Sequence, residues 1–249
     1  MSQEETTHFG FEQVRASEKA ARVRGVFDSV AQQYDVMNDL MSFGLHRLWK
    51  HFAVGVCGLR GGESVLDLAA GTGDLSVRML PTVGPQGQIV MSDINHAMLS
   101  RGRMRMEDEG HVRGLNFAQI NAEALPFADA QFDVVTIGFG LRNVTDKDQA
   151  LREMHRVLKP GGRAVILEFS KPIVPGLDKV YDLYSFKLLP LMGKFVAKDA
   201  ESYRYLAESI RMHPDQQTLR DMLTSAGFAK AEVFNLSGGI VAVHRGTKI

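Results

Sequence analysis

The sequence contains very little cysteine, no excess of charge of either sign and no long apolar run. Its one cysteine, Cys57, excludes an internal disulfide framework and a cysteine-rich zinc site, and it fits a reducing compartment. Lys+Arg and Asp+Glu are each 29, so the formal net charge is zero and the basic excess typical of nucleic-acid binding is missing. No run approaches the roughly 18 apolar residues that cross a bilayer, and the polar residues 1–10 do not resemble a signal peptide. We therefore expect a cytoplasmic protein with no nucleic-acid partner.

What the sequence does contain, from Gly61 onwards, is a regular alternation of short apolar runs and helical stretches. Such alternation is typical of a parallel, doubly wound α/β sheet. Near the end, two runs flank a Ser-Gly-Gly turn and predict a hairpin. The predicted elements are strands at 64–69, 88–93, 115–120, 132–138 and 163–169, helices at 97–109, 146–158 and 215–226, and hairpin strands at 230–236 and 240–245.

The remaining parts of the chain do not follow this alternation. Residues 1–16 are predicted to form a loose polar start, after which apolar residues from Val23 to Tyr34 lie on one face of an amphipathic helix. Residues 171–213, rich in Leu, Tyr, Phe, Lys and Pro, predict a helical insert in which Leu183, Tyr184 and Leu191 share one face. We expect one domain over 1–249, divided into a helical cap (1–60), a core (61–170), an insert (171–213) and a closing helix and hairpin (214–249).

The strongest chemical signal is a glycine turn between a strand and a helix. The strand passes through Asp67, the turn contains Gly71 and Gly73, and the helix opens with Asp74. A dinucleotide site requires a third glycine, where this chain has Ser76, and it binds a pyrophosphate where Asp74 adds negative charge. Both features disfavour NAD and FAD, and they favour a positively charged ligand without phosphate, such as S-adenosylmethionine. Asp67 is then a candidate to hold the amino-acid end of that ligand.

Polar residues also follow the next two predicted strands. Asp93 ends the second strand, 20 residues after Gly73. A carboxylate at this position can accept hydrogen bonds from both hydroxyls of a ribose. Asn121 follows the third strand, where its side chain is a candidate to bind an adenine edge. The register of Asp67 and Asp93 with the glycine turn favours a binding role for both. For Asn121, a binding role and a solvated loop position are evenly balanced.

Four stretches of the chain carry recognisable motifs. They are residues 34–49, the glycine turn, residues 138–144, and residues 156–162 together with 168–170. Together they resemble the ubiquinone/menaquinone biosynthesis C-methyltransferase family, from about Phe9 to the end of the chain. The first and third stretches are the specific ones, since the glycine turn occurs in many methyltransferases.

The resemblance implies a Rossmann-like class I methyltransferase fold, with a mostly parallel, seven-stranded, doubly wound sheet and a C-terminal antiparallel hairpin. It implies that the core binds S-adenosylmethionine as methyl donor. The residues implied in this binding are Thr72, Asp93, Asn121, Ala122 and Gly138. Family members often carry a serine at the last position, and because glycine has no hydroxyl, Gly138 could bind the donor only through its backbone. It also implies C-methylation of a polyprenylated quinol ring, on demethylmenaquinol and on 2-methoxy-6-polyprenyl-benzoquinol.

Candidate catalytic residues lie in the two specific motifs. Arg142 comes directly after a buried strand, where open α/β sheets bind ligands. Its guanidinium stays protonated, so we expect it to stabilise the quinol oxyanion or to hold a water, which Asn143 would orient. His46 and Asp35 are the candidates for proton transfer by residue type. No His, Asp and Glu cluster has metal-ligand spacing, so we expect no metal.

The insert is the expected cover for the isoprenoid tail. Its lysines are interleaved with apolar residues, which favours peripheral contact with anionic lipid at the inner face of the membrane. These lysines are Lys179, Lys187, Lys194 and Lys198. A homodimer and association with other quinone-biosynthesis enzymes are further hypotheses. Three alternatives stay open: a methyltransferase acting on another small phenolic acceptor, an NAD-dependent oxidoreductase, and a donor-binding scaffold subunit.

Overall fold

The computed structural model of the protein describes residues 6–30, 38–39, 41–111, 113–188 and 200–249. A seven-stranded mixed sheet lies at its centre. The elements, in chain order, are β1 (Thr6–Phe9), β2 (Glu12–Arg15), α1 (Ala16–Val30), α2 (Leu45–Cys57), β3 (Ser64–Leu68), α3 (Asp74–Val83), β4 (Gln88–Asp93), α4 (His96–Asp108), β5 (Leu115–Gln119), β6 (Phe132–Gly138), α5 (Lys147–Val157), β7 (Leu158–Phe169), α6 (Leu177–Leu183), α7 (Ala200–Met212), α8 (Gln216–Ser225), β8 (Lys230–Leu236) and β9 (Val241–Thr247).

The order of the strands creates one ligand-binding crevice. The order is β5-β4-β3-β6-β7-β9-β8; the pairings from β5 to β7 are parallel, and β9 is antiparallel to both β7 and β8. The chain builds outwards from β3 to β5 and then returns to the other side of β3 with β6. Open α/β sheets bind ligands at such a reversal, beyond the carboxyl ends of the strands. The predicted doubly wound sheet with its antiparallel hairpin is confirmed.

Apolar strands form the core, and helices cover both faces of the sheet. Val65 and Val134 pack on one face and Leu66 and Val135 on the other, all fully buried, as expected for parallel strands inside a three-layer fold. The helix residues that pack against the first face include Trp49, Ala53 and Met79, and those against the second include Leu151, Met154, Leu219 and Leu223. The N-terminal helix α2 is therefore part of the core of the sheet domain.

The start of the chain differs from its prediction as a loose polar segment. β1 and β2 form an antiparallel hairpin, and the ring of Phe9 stacks on that of Tyr205 in α7, with centroids 4.2 Å apart. A two-stranded hairpin is marginal by itself, so this distant contact accounts for its order. The predicted amphipathic helix is present as α1, which begins at Ala16 and buries Val23. Tyr34 lies outside the described residues.

The insert after β7 begins with irregular residues 171–176 and then contains two helices, α6 and α7. α6 continues into a π-helical turn at Tyr184–Leu188, and Leu191 lies outside the described residues. Leu183, which the sequence places on one helical face with Tyr184, is 58% exposed, whereas Tyr181 is buried. None of the described helices is long and apolar enough to cross a bilayer.

Candidate active site

A large cavity of about 330 Å³ lies beside the carboxyl ends of β6 and β7. Its walls come from α1, α2 with the residues before it, the loop after β6, and the insert. The aromatic residues that line it are Phe27, Phe43, Trp49, Phe139, Phe169, Tyr181, Tyr184, Tyr203 and Tyr205. The charged or imidazole side chains in its wall are His46, Lys50 and Arg142. Such a cavity suits an aromatic, largely apolar ligand with a few polar groups.

A second cavity lies at the glycine turn after β3 and is much smaller, about 30 Å³. Asp67, Thr72 and Asp74 line it, and Lys50 and Phe139 line both cavities. Gly71 and Gly138 are also in its wall. A volume of this size holds little more than one water molecule, so a larger ligand would place only one end there. The two cavities therefore share a wall, and ligands bound in them would meet at Lys50 and Phe139.

Two glycines around the small cavity are closely packed. Gly73 has a φ of 86°, and a Cβ atom there would lie 2.5 Å from Cε of Met91. A Cβ atom on Gly138 would lie 2.6 Å from Cδ1 of Leu75. A serine at position 138 would therefore require the end of the Leu75 side chain to move.

Asp67 is completely buried beneath the glycine turn. Its carboxylate accepts hydrogen bonds from Oγ of Ser76 at 2.6 Å and from Oγ1 of Thr136 at 2.7 Å. Burial raises the pKa of Asp67 to about 6, although both hydroxyls oppose that shift. The structure thus places Asp67 in the wall of the small cavity with both carboxylate oxygens already bound. It also gives Ser76, where a dinucleotide site has glycine, a structural role.

Asp93 connects the end of β4 to the glycine turn. Its carboxylate accepts from the backbone N–H groups of Gly71 at 2.9 Å and of Asn95 at 2.8 Å. Burial raises its pKa, and these backbone hydrogen bonds oppose the shift. At the end of β5, Asn121 is exposed and its Oδ1 accepts from the N–H of Glu123 at 3.1 Å, while Ala122 packs on the core. None of these three predicted donor-binding residues lines either cavity, although Asp93 binds Gly71, which does.

Arg142 lies in the wall of the large cavity, where it forms an ion pair with Glu168. Its Nη1 donates to Oε1 of Glu168 at 2.9 Å and to the carbonyl oxygen of Phe139. Its backbone N–H donates to Oε2 of Glu168 at 3.1 Å, and its guanidinium lies over the ring of Phe169, 5.7 Å from the centroid. Both members of the ion pair are buried. The glutamate therefore balances and orients the cation that faces the cavity.

Asn143 does not line the cavity. Its Oδ1 accepts a hydrogen bond from the hydroxyl of Tyr205 at 3.0 Å, and it is Tyr205 that lines the wall. Burial raises the pKa of Tyr205 to about 12, so its hydroxyl stays protonated and remains a donor. Asn143 was predicted to orient a water or the ring oxygen. In this structure it could do so only through the hydroxyl of Tyr205, which lies between Asn143 and the cavity.

His46 lines the large cavity from α2. Its Nε2 lies 2.7 Å from Oδ1 of Asp39, and Asp39 also accepts from Nε and Nη2 of Arg47. Burial lowers the pKa of His46, although the hydrogen bond to Asp39 opposes that shift. The imidazole is therefore neutral at pH 7 and can accept a proton. Asp35, the other predicted proton-transfer residue, lies outside the described residues.

Asp74 at the start of α3 is neutralised by neighbouring cations. Nζ of Lys50 donates to its Oδ2 at 2.7 Å, and Arg78 and Arg105 lie 3.7 and 3.8 Å from its Oδ1. Burial opposes ionisation of Asp74, but Lys50 and the two arginines outweigh it and lower its pKa. Asp74 is thus an anion at the start of the helix, as its residue type indicates, and three neighbouring cations offset its charge.

Residues 15–248 match a sequence model of the ubiE/COQ5 methyltransferase family. The chain belongs to this family. A protein named ubiquinone/menaquinone biosynthesis C-methyltransferase UbiE from Teredinibacter turnerae is 60% identical over 248 residues, which is 100% of both chains. Proteins of the same name from Serratia proteamaculans and Escherichia coli are 61% and 59% identical over 245 residues, 98% of each chain. The resemblance inferred from the motifs is confirmed.

Solved structures show the same fold at much lower identity. A SAM-dependent methyltransferase from Aquifex aeolicus superposes with a TM-score of 0.62 at 15% identity, covering 86% of this chain and 98% of that one. A SAM-dependent methyltransferase from Thermotoga maritima gives a TM-score of 0.64 at 22% identity, covering 90% and 99%. At these identities the similarity supports the Rossmann-like sheet and nothing finer.

Sequence reasoning missed four residues of the site in this ubiE/COQ5 family member: Asp39, Lys50, Glu168 and Tyr205. Asp39 lies inside the motif at 34–49, and Glu168 interrupts an apolar strand, so both carried a local signal. Lys50 and Tyr205 carried none, because their roles depend on contacts to residues 24 and 62 positions away.

Proposed function

We propose that this protein is an S-adenosylmethionine-dependent C-methyltransferase that methylates the ring of a polyprenylated quinol in ubiquinone and menaquinone biosynthesis. Membership of the ubiE/COQ5 methyltransferase family and full-length relatives at about 60% identity support the reaction class and the pathway. The observation that carries the proposal is the pair of adjoining cavities. One lies at the glycine turn, the other is apolar and aromatic, and they meet at Lys50 and Phe139.

The glycine-turn region fits the methyl donor. A cavity large enough for one polar end, lined by an acidic and a basic group, matches the amino-acid end, and Asp93 lies where a ribose is bound in sheets of this kind. When bound, S-adenosylmethionine supplies an electrophilic methyl group. The residues proposed to hold it are Asp67, Gly71, Thr72, Gly73, Asp93, Asn121, Ala122 and Gly138. Asp67 acts mainly by holding the turn in shape through Ser76 and Thr136.

The large cavity fits the acceptor. Its aromatic walls bury a quinol ring and the first part of an isoprenoid tail, and the dry surroundings strengthen the electrostatic effect of the polar groups. Arg142 stabilises negative charge on the ring oxygen while Glu168 keeps the guanidinium in place. Asn143 acts through the hydroxyl of Tyr205: it accepts the single proton of that hydroxyl, which leaves the phenol oxygen able to accept a hydrogen bond from a quinol hydroxyl.

Methylation of a ring carbon requires removal of protons from the quinol. Loss of a hydroxyl proton makes the adjacent ring carbon nucleophilic, and this carbon takes the methyl group as the bond from methyl to sulfur breaks. Loss of the ring proton then restores the aromatic ring and the hydroxyl is reprotonated, so that one proton is released in total. Neutral His46 is the base proposed for this role, because Arg142 stays protonated. Asp39, whose side chain is 39% exposed, stabilises the resulting imidazolium and connects it to solvent. Asp35 stays a sequence-based proposal for the same role.

We also propose the division of labour along the chain. The cap (1–60) supplies His46 and Lys50, the core (61–170) binds the donor, the insert (171–213) covers the acceptor, and residues 214–249 close the sheet. Two observations support one domain built from all four parts. Residues of α1, α2 and α7 line the same large cavity, and β9 of the last part pairs with β7 of the core.

The first test is a methyl-transfer assay on the purified protein. Labelled S-adenosylmethionine is offered with short-tailed demethylmenaquinol or 2-methoxy-6-polyprenyl-benzoquinol, and the methylated atom is located by mass spectrometry and NMR. We expect a new carbon–methyl bond on both rings. Methylation of an oxygen, or donor binding without transfer to either quinol, would contradict the proposal and favour another phenolic acceptor or a scaffold role.

Peripheral membrane contact is proposed for the surface around the large cavity. Phe43 and Leu45 line the cavity yet are 74% and 41% exposed, Leu48 on the same helix is 66% exposed, and Lys179 and Lys187 are exposed on the insert. Lys194 and Lys198 lie outside the described residues. An apolar surface with nearby lysines fits an anionic bilayer that holds the substrate's tail. Association with other quinone-biosynthesis enzymes and a homodimer stay sequence-based hypotheses.

Flotation with anionic liposomes at low salt tests this contact. We expect the protein to float with the vesicles, and Leu48→Asp to reduce the floating fraction severalfold, because a charge replaces an apolar group at the bilayer surface. Since Leu48 does not line the cavity, transfer to a water-soluble, short-tailed quinol should be unchanged. Absence of flotation by the unmodified protein would end the proposal.

A further inference from the structure

Lys50 occupies an unusual position between the two cavities. It lies on α2, outside the glycine-turn core, and it is buried with 8% of its surface exposed. Among the described residues that line the small cavity, Lys50 is the one with a cationic side chain. Its Nζ donates one hydrogen bond, at 2.7 Å, to Oδ2 of Asp74. An ammonium has three donors, so two are left for a ligand.

The charges around the small cavity match an amino-acid zwitterion. Asp67 and Asp74 supply negative charge to its wall and Lys50 supplies positive charge. Asp74 also interacts with Arg78 and Arg105, so the charge of Lys50 is not fully consumed by its partner. A carboxylate entering this cavity would therefore meet a desolvated ammonium, and charge-assisted hydrogen bonds of this kind are the strong ones.

We propose that Lys50 binds the carboxylate of the amino-acid end of the methyl donor and thereby selects ligands that carry it. This inference rests on the proposed function, because it assumes that the ligand is S-adenosylmethionine or S-adenosylhomocysteine, both of which carry an amino-acid end. It adds a donor-binding residue from the N-terminal cap to a site otherwise built by the core. It also explains why Asp74 is placed to hold the lysine side chain against the glycine turn.

Two ligands that differ by one carboxylate test the assignment without methyl transfer. Isothermal titration calorimetry compares S-adenosylhomocysteine with its decarboxylated form, S-adenosyl-3-thiopropylamine, on the full chain. We expect Lys50→Met to weaken binding of S-adenosylhomocysteine by roughly 10- to 100-fold, the range for hydrogen bonds to charged groups. Binding of the decarboxylated ligand should change by less than about threefold. Lys50→Arg should recover part of the lost affinity.

Arg78→Met is the matched control. It removes another cation from Asp74, but Arg78 does not line the small cavity, so both ligands should bind as they do to the unmodified protein. Equal weakening of both ligands by Lys50→Met, or no weakening of either, would overturn the assignment. If the unmodified protein bound neither ligand, the proposed function itself would fail, which is a different result from loss of carboxylate selectivity alone.

Discussion

Replacement of His46 by glutamine is expected to lower kcat/KM for quinol methylation by about 100- to 10,000-fold, the range for loss of a general base. Glutamine is of similar size and can still donate to Oδ1 of Asp39, so the wall of the large cavity should be kept. It cannot accept a proton in the working pH range. The steady-state assay with a short-tailed quinol measures the loss. Calorimetric binding of S-adenosylhomocysteine, which should be unchanged, shows that the variant is folded.

The pH profile separates a base from a merely structural histidine. Burial holds the pKa of His46 below its ordinary value of 6.5, with Asp39 and Asp74 acting to raise it and Lys50 to lower it. A base must be neutral, so activity should be present above this pKa and lost as the pH falls through it. In His46→Gln this acid limb should disappear. Its persistence, or a rate within threefold of the unmodified enzyme, would assign the proton to another group.

Asp39→Asn is the informative partner variant. Loss of the carboxylate removes the hydrogen bond and charge that favour the imidazolium, so the pKa of His46 should fall further. We therefore expect the acid limb to move to lower pH and the plateau rate to fall, by less than in His46→Gln. An unshifted limb would remove Asp39 from the proton path while leaving the role of His46 intact.

The second large effect is expected on stability, at the buried pair of Arg142 and Glu168. Glu168→Leu should lower the free energy of unfolding by about 3–5 kcal/mol, because it leaves a buried guanidinium without its counter-charge. It also removes the acceptor for the backbone N–H groups of Arg142 and Phe169. Urea unfolding followed by circular dichroism measures the change. The cost should exceed that of an ordinary surface substitution severalfold.

Two controls decide whether the unpaired charge is the cause. The double variant Arg142→Met with Glu168→Leu should recover much of the lost stability, since no buried charge is then left unpaired. Glu107→Leu breaks an exposed ion pair with Arg103 on α4 and should cost less than about 1 kcal/mol. If the double variant were no more stable than Glu168→Leu, the loss would come from the backbone hydrogen bonds instead.

The sequence by itself determined the strands and the glycine turn beside the small cavity. The strands at β3, β4 and β6 are predicted to within a residue, because buried parallel strands are short apolar runs bounded by glycine or polar residues. The glycine turn is visible because only glycine tolerates the left-handed backbone of Gly73 against Met91. The position of Asp93 at the end of a strand is predicted from its distance of 20 residues from Gly73. All of these are local properties, carried by residues close together in the chain.

Tertiary structure alone decided the large cavity. The large cavity joins residues as distant as Val26 and Ile240, and no local pattern predicts which side chains will line it. Glu168 reaches Arg142 because β7 lies beside β6, Tyr205 reaches Asn143 from the insert, and Lys50 reaches Asp74 because α2 packs on α3. Ion pairs and buried hydrogen bonds between distant segments form only when the fold removes water from both partners. The sequence therefore names the candidate residues, and the fold determines which of them meet.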